Sequence, residues 1–333
     1  MRRCSIVLAV SLLTTALAAG SGIFRGLETD GASGASETSR IPKPSGTAVK
    51  STSLQIVFTG DILLDRGVRR VIEHRGADAL FSPGIDSLFR ASQVVVGNLE
   101  CPATHLRAPA QKRFVFRAEP EWLAVLRRHG ITHLILANNH SVDQGREGLM
   151  DTRRNVLRAG IVPVGAGANM REAARPVLLA SRPRRVWLVS SLRLALENYA
   201  LLPDRPCVSQ EPMDSLLERV HRLRRTDPQA VIVVSLHWGG EHTLQPVARQ
   251  RMEAHQLVLA GADLLVGHHT HTLQTVETYR GCSIYYSVGN FIFDQHKPLN
   301  SRACVVRLRV GERTLDVETL PVSIRQCVPR LDQ

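Results

Sequence analysis

Seven side chains in this 333-residue sequence are of types that bind metal ions or move protons: Asp61, Glu100, Asn139, His140, His237, His269 and His271. Each stands just past an apolar run of strand length. Carboxylates, an amide and imidazoles in that number suit one or two borderline divalent ions, Mn, Fe or Zn. Calcium prefers oxygen ligands alone, and the absence of any Cys-x-x-Cys removes a thiolate zinc site. Two such ions side by side can clamp a phosphoryl oxygen during in-line attack. His140 is the candidate acid for the leaving oxygen, with Asp143 accepting from the ring's other nitrogen. Asn98, Glu241, His268 and Asn290 are candidate outer partners, and Arg117 is a candidate contact for an anionic substrate.

Those residues need strands that end together. Residues 54–59, 94–96, 131–137, 186–191, 230–236 and 262–266 are apolar and rich in branched side chains, as fully buried strands are, and polar groups follow most of them. In open α/β sheets function gathers at the carboxyl ends of such strands. Asn98 and Glu100 flank Leu99, so an extended chain points both the same way; the same reading puts His269 and His271 on one side of an extended segment. Helical spacing is expected over residues 66–75, 120–129, 145–159, 213–225 and 246–260. Residues 113–118 alternate charged and apolar groups as an edge strand does, and residues 304–310 and 314–322 read as a terminal hairpin. Residues 192–212 are irregular and proline-marked, a loop expected over the site. The glycines of residues 161–167 do not complete a dinucleotide fingerprint.

Met1-Arg2-Arg3, an apolar run over residues 6–19 and Ala16-Leu17-Ala18 near its end read as an export signal or N-terminal anchor, so the chain is expected to be periplasmic, extracellular or anchored facing outward. Residues 20–53, rich in Gly, Ser, Thr and Pro, read as a flexible linker to a single domain over residues 54–325. Cys101, Cys207, Cys282, Cys304 and Cys327 follow the signal, allowing at most two disulfides. The net charge of +12 is carried almost entirely by arginine and fits an anionic partner. Aromatic residues make up only 5% and form no strip beside the basic ones, which argues against nucleic acid.

Several ordered motifs resemble the calcineurin-like metallophosphatase superfamily, and within it the bacterial CapA group tied to poly-γ-glutamate capsule synthesis. They are Thr59-Gly60-Asp61, Gly97-Asn98-Leu99-Glu100, Ala137-Asn138-Asn139-His140 with Asp143 and Gly145, His237-Trp238-Gly239 with Glu241, Gly267-His268-His269-Thr270-His271 with Gln274 and Glu277, and Ser287-Val288-Gly289-Asn290-Phe291. The resemblance spans residues 54–294 and implies a four-layer αββα sandwich with the site at the strand ends. It implies an anionic polymer or phosphoester substrate and work beside a membrane capsule-synthesis complex. The superfamily's Asp-x-His is absent here, because Ile62 and Leu63 follow Asp61. Two readings result: a metal-dependent hydrolase, or a non-catalytic accessory or polymer-binding subunit.

Overall fold

A parallel strand covered on both faces must alternate its side chains between two cores, and the strand Leu54–Ile62 does so. Ile56 and Phe58 enter the core between two sheets, whereas Val57 enters the core beneath the outer helices. Val95 and its neighbours Val94 and Val96 repeat the pattern. In the second sheet Val231 and Val233 face inward while Ile232 and Val234 face that sheet's own helices. The result is four layers, helices, sheet, sheet, helices, in a computed structural model that describes residues 53–332. The expected export signal and nearly all of the linker lie outside the described residues.

The first sheet runs Val328–Leu331, Leu315–Arg325, Arg302–Val310, Leu54–Ile62, Val94–Leu99, His133–Ile135, Val162–Val164, with Asn290–Ile292 paired to the end of Leu54–Ile62. The second runs Val276–Tyr279, Cys282–Tyr285, Leu264–His268, Val231–His237, Val186–Leu192, Val177–Ala180. Helices Arg66–Arg75, Pro83–Arg90, Leu123–Arg128 and Gly145–Arg158 cover the first sheet, and Met213–Thr226 and Ala248–Ala260 cover the second. Among the described residues no helix is long and apolar enough to cross a membrane.

Two expectations change. Residues 113–118 form no strand; Ala118 makes only an isolated bridge to Ala103, and backbone bonds from Phe116 and Arg117 go to the Asp143 and Asp65 side chains instead. The terminal hairpin gains a third strand, Val328–Leu331, so the sheet continues past residue 325. The five cysteines among the described residues are all free and buried, and burial lifts the thiols, Cys282 and Cys304 to about 12.

The sheet is also distorted where it delivers Asp61. Pairing with Val94–Leu99 shifts register between Phe58 and Asp61, which brings Asp61 level with Asn98 on one side and Asn290 on the other. The approach is close enough that a Cβ on Gly60 would stand 2.1 Å from the Gly289 carbonyl oxygen. Gly60→Ala is therefore expected to destabilise the protein by at least ~1–3 kcal/mol, the usual cost of forcing atoms into a packed core. Urea unfolding of the variant beside the wild type measures this, and an unchanged midpoint would contradict the distortion.

Candidate metal centre

Strands of both sheets end in polar groups that gather into one buried cluster. Asp61 Oδ1 accepts from Asn98 Nδ2 at 2.8 Å and lies 3.1 Å from His268 Nδ1; its Oδ2 faces the backbone N–H of His269 at 3.3 Å and His271 Nδ1 at 3.5 Å. Burial works to raise the Asp61 carboxyl, but His268 and His271 outweigh it and hold the group well below the usual carboxylate range. Glu100 is the opposite case. Burial, then the charge of Asp61, pushes its carboxyl well above the usual range. Both of its oxygens lack a hydrogen-bond partner among the described residues. His237 Nε2 and His271 Nε2 stand 3.8 and 3.7 Å from Glu100 Oε1.

An unpaired buried carboxylate is costly, so its surroundings deserve a count of donors. Glu100, His237 and His269 offer ligand atoms within 4.8 Å of one another, and so do Asp61, Glu100 and His271. Glu100 belongs to both groups. All five residues are buried. Burial also keeps two of these imidazoles neutral: it pulls His237 well below its ordinary value, with His269 adding to the effect, and takes His269 to about 3, with His271 adding. Neutral imidazoles at physiological pH are the form that binds metal. The donor set and the partnerless atoms of Glu100 and of His269 Nδ1 therefore fit a divalent ion. A third group, His105, Glu119 and Glu121, is largely exposed, and Glu119 is already paired with Arg69 and Arg117.

The remaining candidates divide. Asn139 Oδ1 pairs with His237 Nε2 at 2.8 Å, while Asn98 Nδ2 reaches His237 Nδ1 at 3.3 Å, so two amides orient that ring. Asn290 Oδ1 does the same for His271 Nδ1 at 2.9 Å. His140 sits at the rim: its Nδ1 pairs with Asp143 Oδ2 at 2.8 Å and its ring packs on Phe116 at 4.2 Å. Burial lowers the His140 imidazole, against the pull of Asp143. Glu241 is half exposed and pairs only with His242, at 3.9 Å, among the described residues. Arg117 does not reach the cluster. Its guanidinium donates to the Thr104 carbonyl and to both oxygens of Glu119, which it draws down to about 2.

His269 and His271 converge by a different route from the one expected. The chain there is not extended: the two residues adopt φ of 93° and 56°, the left-handed region, which turns both rings inward. Their ring centroids are 6.2 Å apart, and His269 lies 4.9 Å from His237. Gly267, in the strand that leads into this turn, lets that strand pass close to Tyr286, since a Cβ there would meet the Tyr286 carbonyl oxygen at 1.9 Å.

Sequence reasoning passed over Lys112. Its ammonium is buried, 2.5 Å from Asp143 Oδ1, 2.9 Å from the Asn139 carbonyl and 3.4 Å from His140 Nδ1. Its rarity was the available signal, as one of four lysines in the chain. Asn138 was also passed over; it accepts from the His140 backbone and donates to Asn98, binding the two strand ends together. The loop after Val186–Leu192 touches this region through Asn198, whose side chain donates to the Gln111 carbonyl.

Two sheets meeting at a shared rim of Asp, Glu, Asn and His define a metallophosphatase-type architecture. A crystal structure described as "Putative 5'-Nucleotidase from Staphylococcus aureus in complex with alpha-ketoglutarate" superposes on 84% of this chain with a TM-score of 0.50 and 13% identity. That is a likeness of fold, and the chain spans only 54% of that structure. The chain belongs to the family described as "Bacterial capsule synthesis protein PGA_cap", whose profile matches residues 55–295. Among its relatives, the PGA biosynthesis protein CapA of Bacillus subtilis is 31% identical over 280 residues, 83% of this chain and 73% of the relative. The capsule biosynthesis protein CapA of Bacillus anthracis is 30% identical over 291 residues, covering 84% and 70%.

Proposed function

We propose that this chain is an exported protein for the synthesis, transfer or anchoring of an anionic capsule polymer such as poly-γ-glutamate, with a site that hydrolyses a phosphoester or amide bond using one or two ions of Mn, Fe or Zn. The observation that carries the reading is Glu100, a buried carboxylate whose two oxygens have no hydrogen-bond partner among the described residues and lie between two sets of histidine and carboxylate donors. Family membership and the capsule roles named for the two Bacillus relatives support the polymer. The basic, then apolar, start of the chain supports export and a place beside a membrane capsule-synthesis complex.

Asp61, Glu100, His237, His269 and His271 would hold the metal, with Asn139 beside them. When bound, it supplies Lewis acidity and a water made nucleophilic at neutral pH. The chain's own groups do the rest. Asn98 and Asn290 fix the ligand rings of His237 and His271 through their Nδ1 atoms. Asp143 takes the Nδ1 side of His140, which leaves Nε2 as the nitrogen to hand a proton to the leaving group. Lys112 balances the Asp143 charge in a dry setting, where an unbalanced carboxylate would be costly.

The accessory reading keeps one observation in its favour: Leu63, at the histidine position of Asp-x-His, and Ile62 before it are wholly buried in the outer core and offer no ligand. A screen of the full chain with added Mn²⁺ against p-nitrophenyl phosphate, bis-p-nitrophenyl phosphate and poly-γ-glutamate separates the readings. Turnover that EDTA abolishes is expected. Protein that retains no Mn, Fe or Zn after reconstitution would end the hydrolase proposal.

A further inference from the structure

We propose that Arg66 is the substrate-binding residue at the mouth of the cluster, its guanidinium receiving the carboxylate or phosphoryl oxygens that flank the bond to be cut. The identity of that bond rests on the hydrolase reading; the binding of an oxyanion does not.

The backbone is the first observation. Arg66 opens the helix Arg66–Arg75 with φ of 53°, a conformation that costs a side chain with a Cβ roughly 1–2 kcal/mol. Such strain persists only where surroundings hold it, and here they are specific. Asp65 Oδ1 accepts from the Arg66 N–H at 2.8 Å. Asp294 takes one edge of the guanidinium, accepting from Nε at 3.0 Å and from Nη2, and also accepts from the Gly67 N–H at 3.0 Å. Gly67 makes this approach possible, since a Cβ there would lie 2.6 Å from Asp294 Cβ.

The second observation is what the guanidinium lies against. Its carbon is 5.4 Å from the centre of the Phe116 ring and 5.9 Å from that of Phe293. Phe116 packs on His140 and Phe293 packs on His271, at 4.2 and 4.7 Å. One ring therefore separates Arg66 from the candidate acid, and one separates it from a candidate ligand.

The third is availability. A guanidinium carries five N–H donors in a fixed fork, and Asp294 occupies one edge. Nη1 has no side-chain or backbone acceptor among the described residues, and the side chain is 35% exposed beside a cluster that is buried. Lys112 and Arg117, two other cations beside the cluster, are engaged with protein acceptors. A planar oxyanion meeting the open edge would gain paired, charge-assisted hydrogen bonds.

Calorimetric titration of the full chain, with and without Mn²⁺, tests this using inorganic phosphate and a γ-linked glutamate trimer as probes. Arg66→Ala is expected to weaken the better probe by about 10–100-fold, the scale of losing hydrogen bonds to a charged group. Metal content should stay at the wild-type level. Arg66→Lys, which keeps the charge and loses the fork, should fall between, and it carries the test if the alanine variant does not fold. Preference for the trimer assigns a carboxylate source, and preference for phosphate a phosphoryl one. Wild-type protein that binds neither probe overturns the proposal, as do both variants binding within twofold of wild type. Arg66-dependent binding without any turnover would sink the hydrolase reading and leave this one standing.

Discussion

Glu100→Gln is expected to strip the protein of its metal while making the metal-free form melt higher at neutral pH. Glu100 is the one residue common to both donor groups, so the loss should exceed the roughly 10–100-fold that removal of an outer partner costs. The gain in stability follows from the direction of its pKa. Burial, then Asp61, raises the folded carboxyl above its ordinary 4.5, so its share of stability is intact below that ordinary value and is lost as pH rises through the folded one. Glutamine has no proton to lose and escapes that penalty. Melting both proteins in EDTA from pH 4 to pH 8, with metal analysis after dialysis against Mn²⁺, reads both effects. The variant should pull ahead as pH rises. Full metal retention, or a lower melting point than wild type at neutral pH, would contradict the account.

His140→Ala should cut kcat by about 10²–10⁴, the usual contribution of a positioned acid, and leave the metal in place. His140 belongs to neither donor group, and its contacts are to Asp143, Lys112 and Phe116. Its backbone N–H, held by Asn138, survives the substitution. Turnover measured beside metal content gives the answer. A variant that loses metal and rate together would make His140 a ligand, and one that keeps full rate would favour the accessory subunit.

The strands that build the site were legible because parallel strands buried on both faces announce themselves as unbroken runs of Val, Ile and Leu. The helix Arg66–Arg75 was legible from end to end from its spacing alone. Misreadings arose where side chains override local pattern. Residues 113–118 alternate like a strand, yet their backbone donors are claimed by Asp65 and Asp143, which are distant in sequence. The turn at His269 and His271 depends on left-handed backbone that histidine pairs do not advertise. The choice among arginines was least legible of all. Arg117 and Arg66 look alike in sequence, and what separates them is a carboxylate two residues away, Glu119, against one 228 residues away, Asp294.

The five donors do not come from one layer. Asp61 lies at the end of one strand of the first sheet and Glu100 just past another, whereas His237 ends a strand of the second and His269 and His271 follow another. An ion gripping both sets works as a rivet through the sandwich, because prising the layers apart at that rim requires breaking coordination bonds as well as apolar contact. Its binding energy is thereby added to the cohesion of the whole. Loaded protein should resist proteases and slow amide exchange first along this edge, so that the working centre doubles as the clasp of the fold.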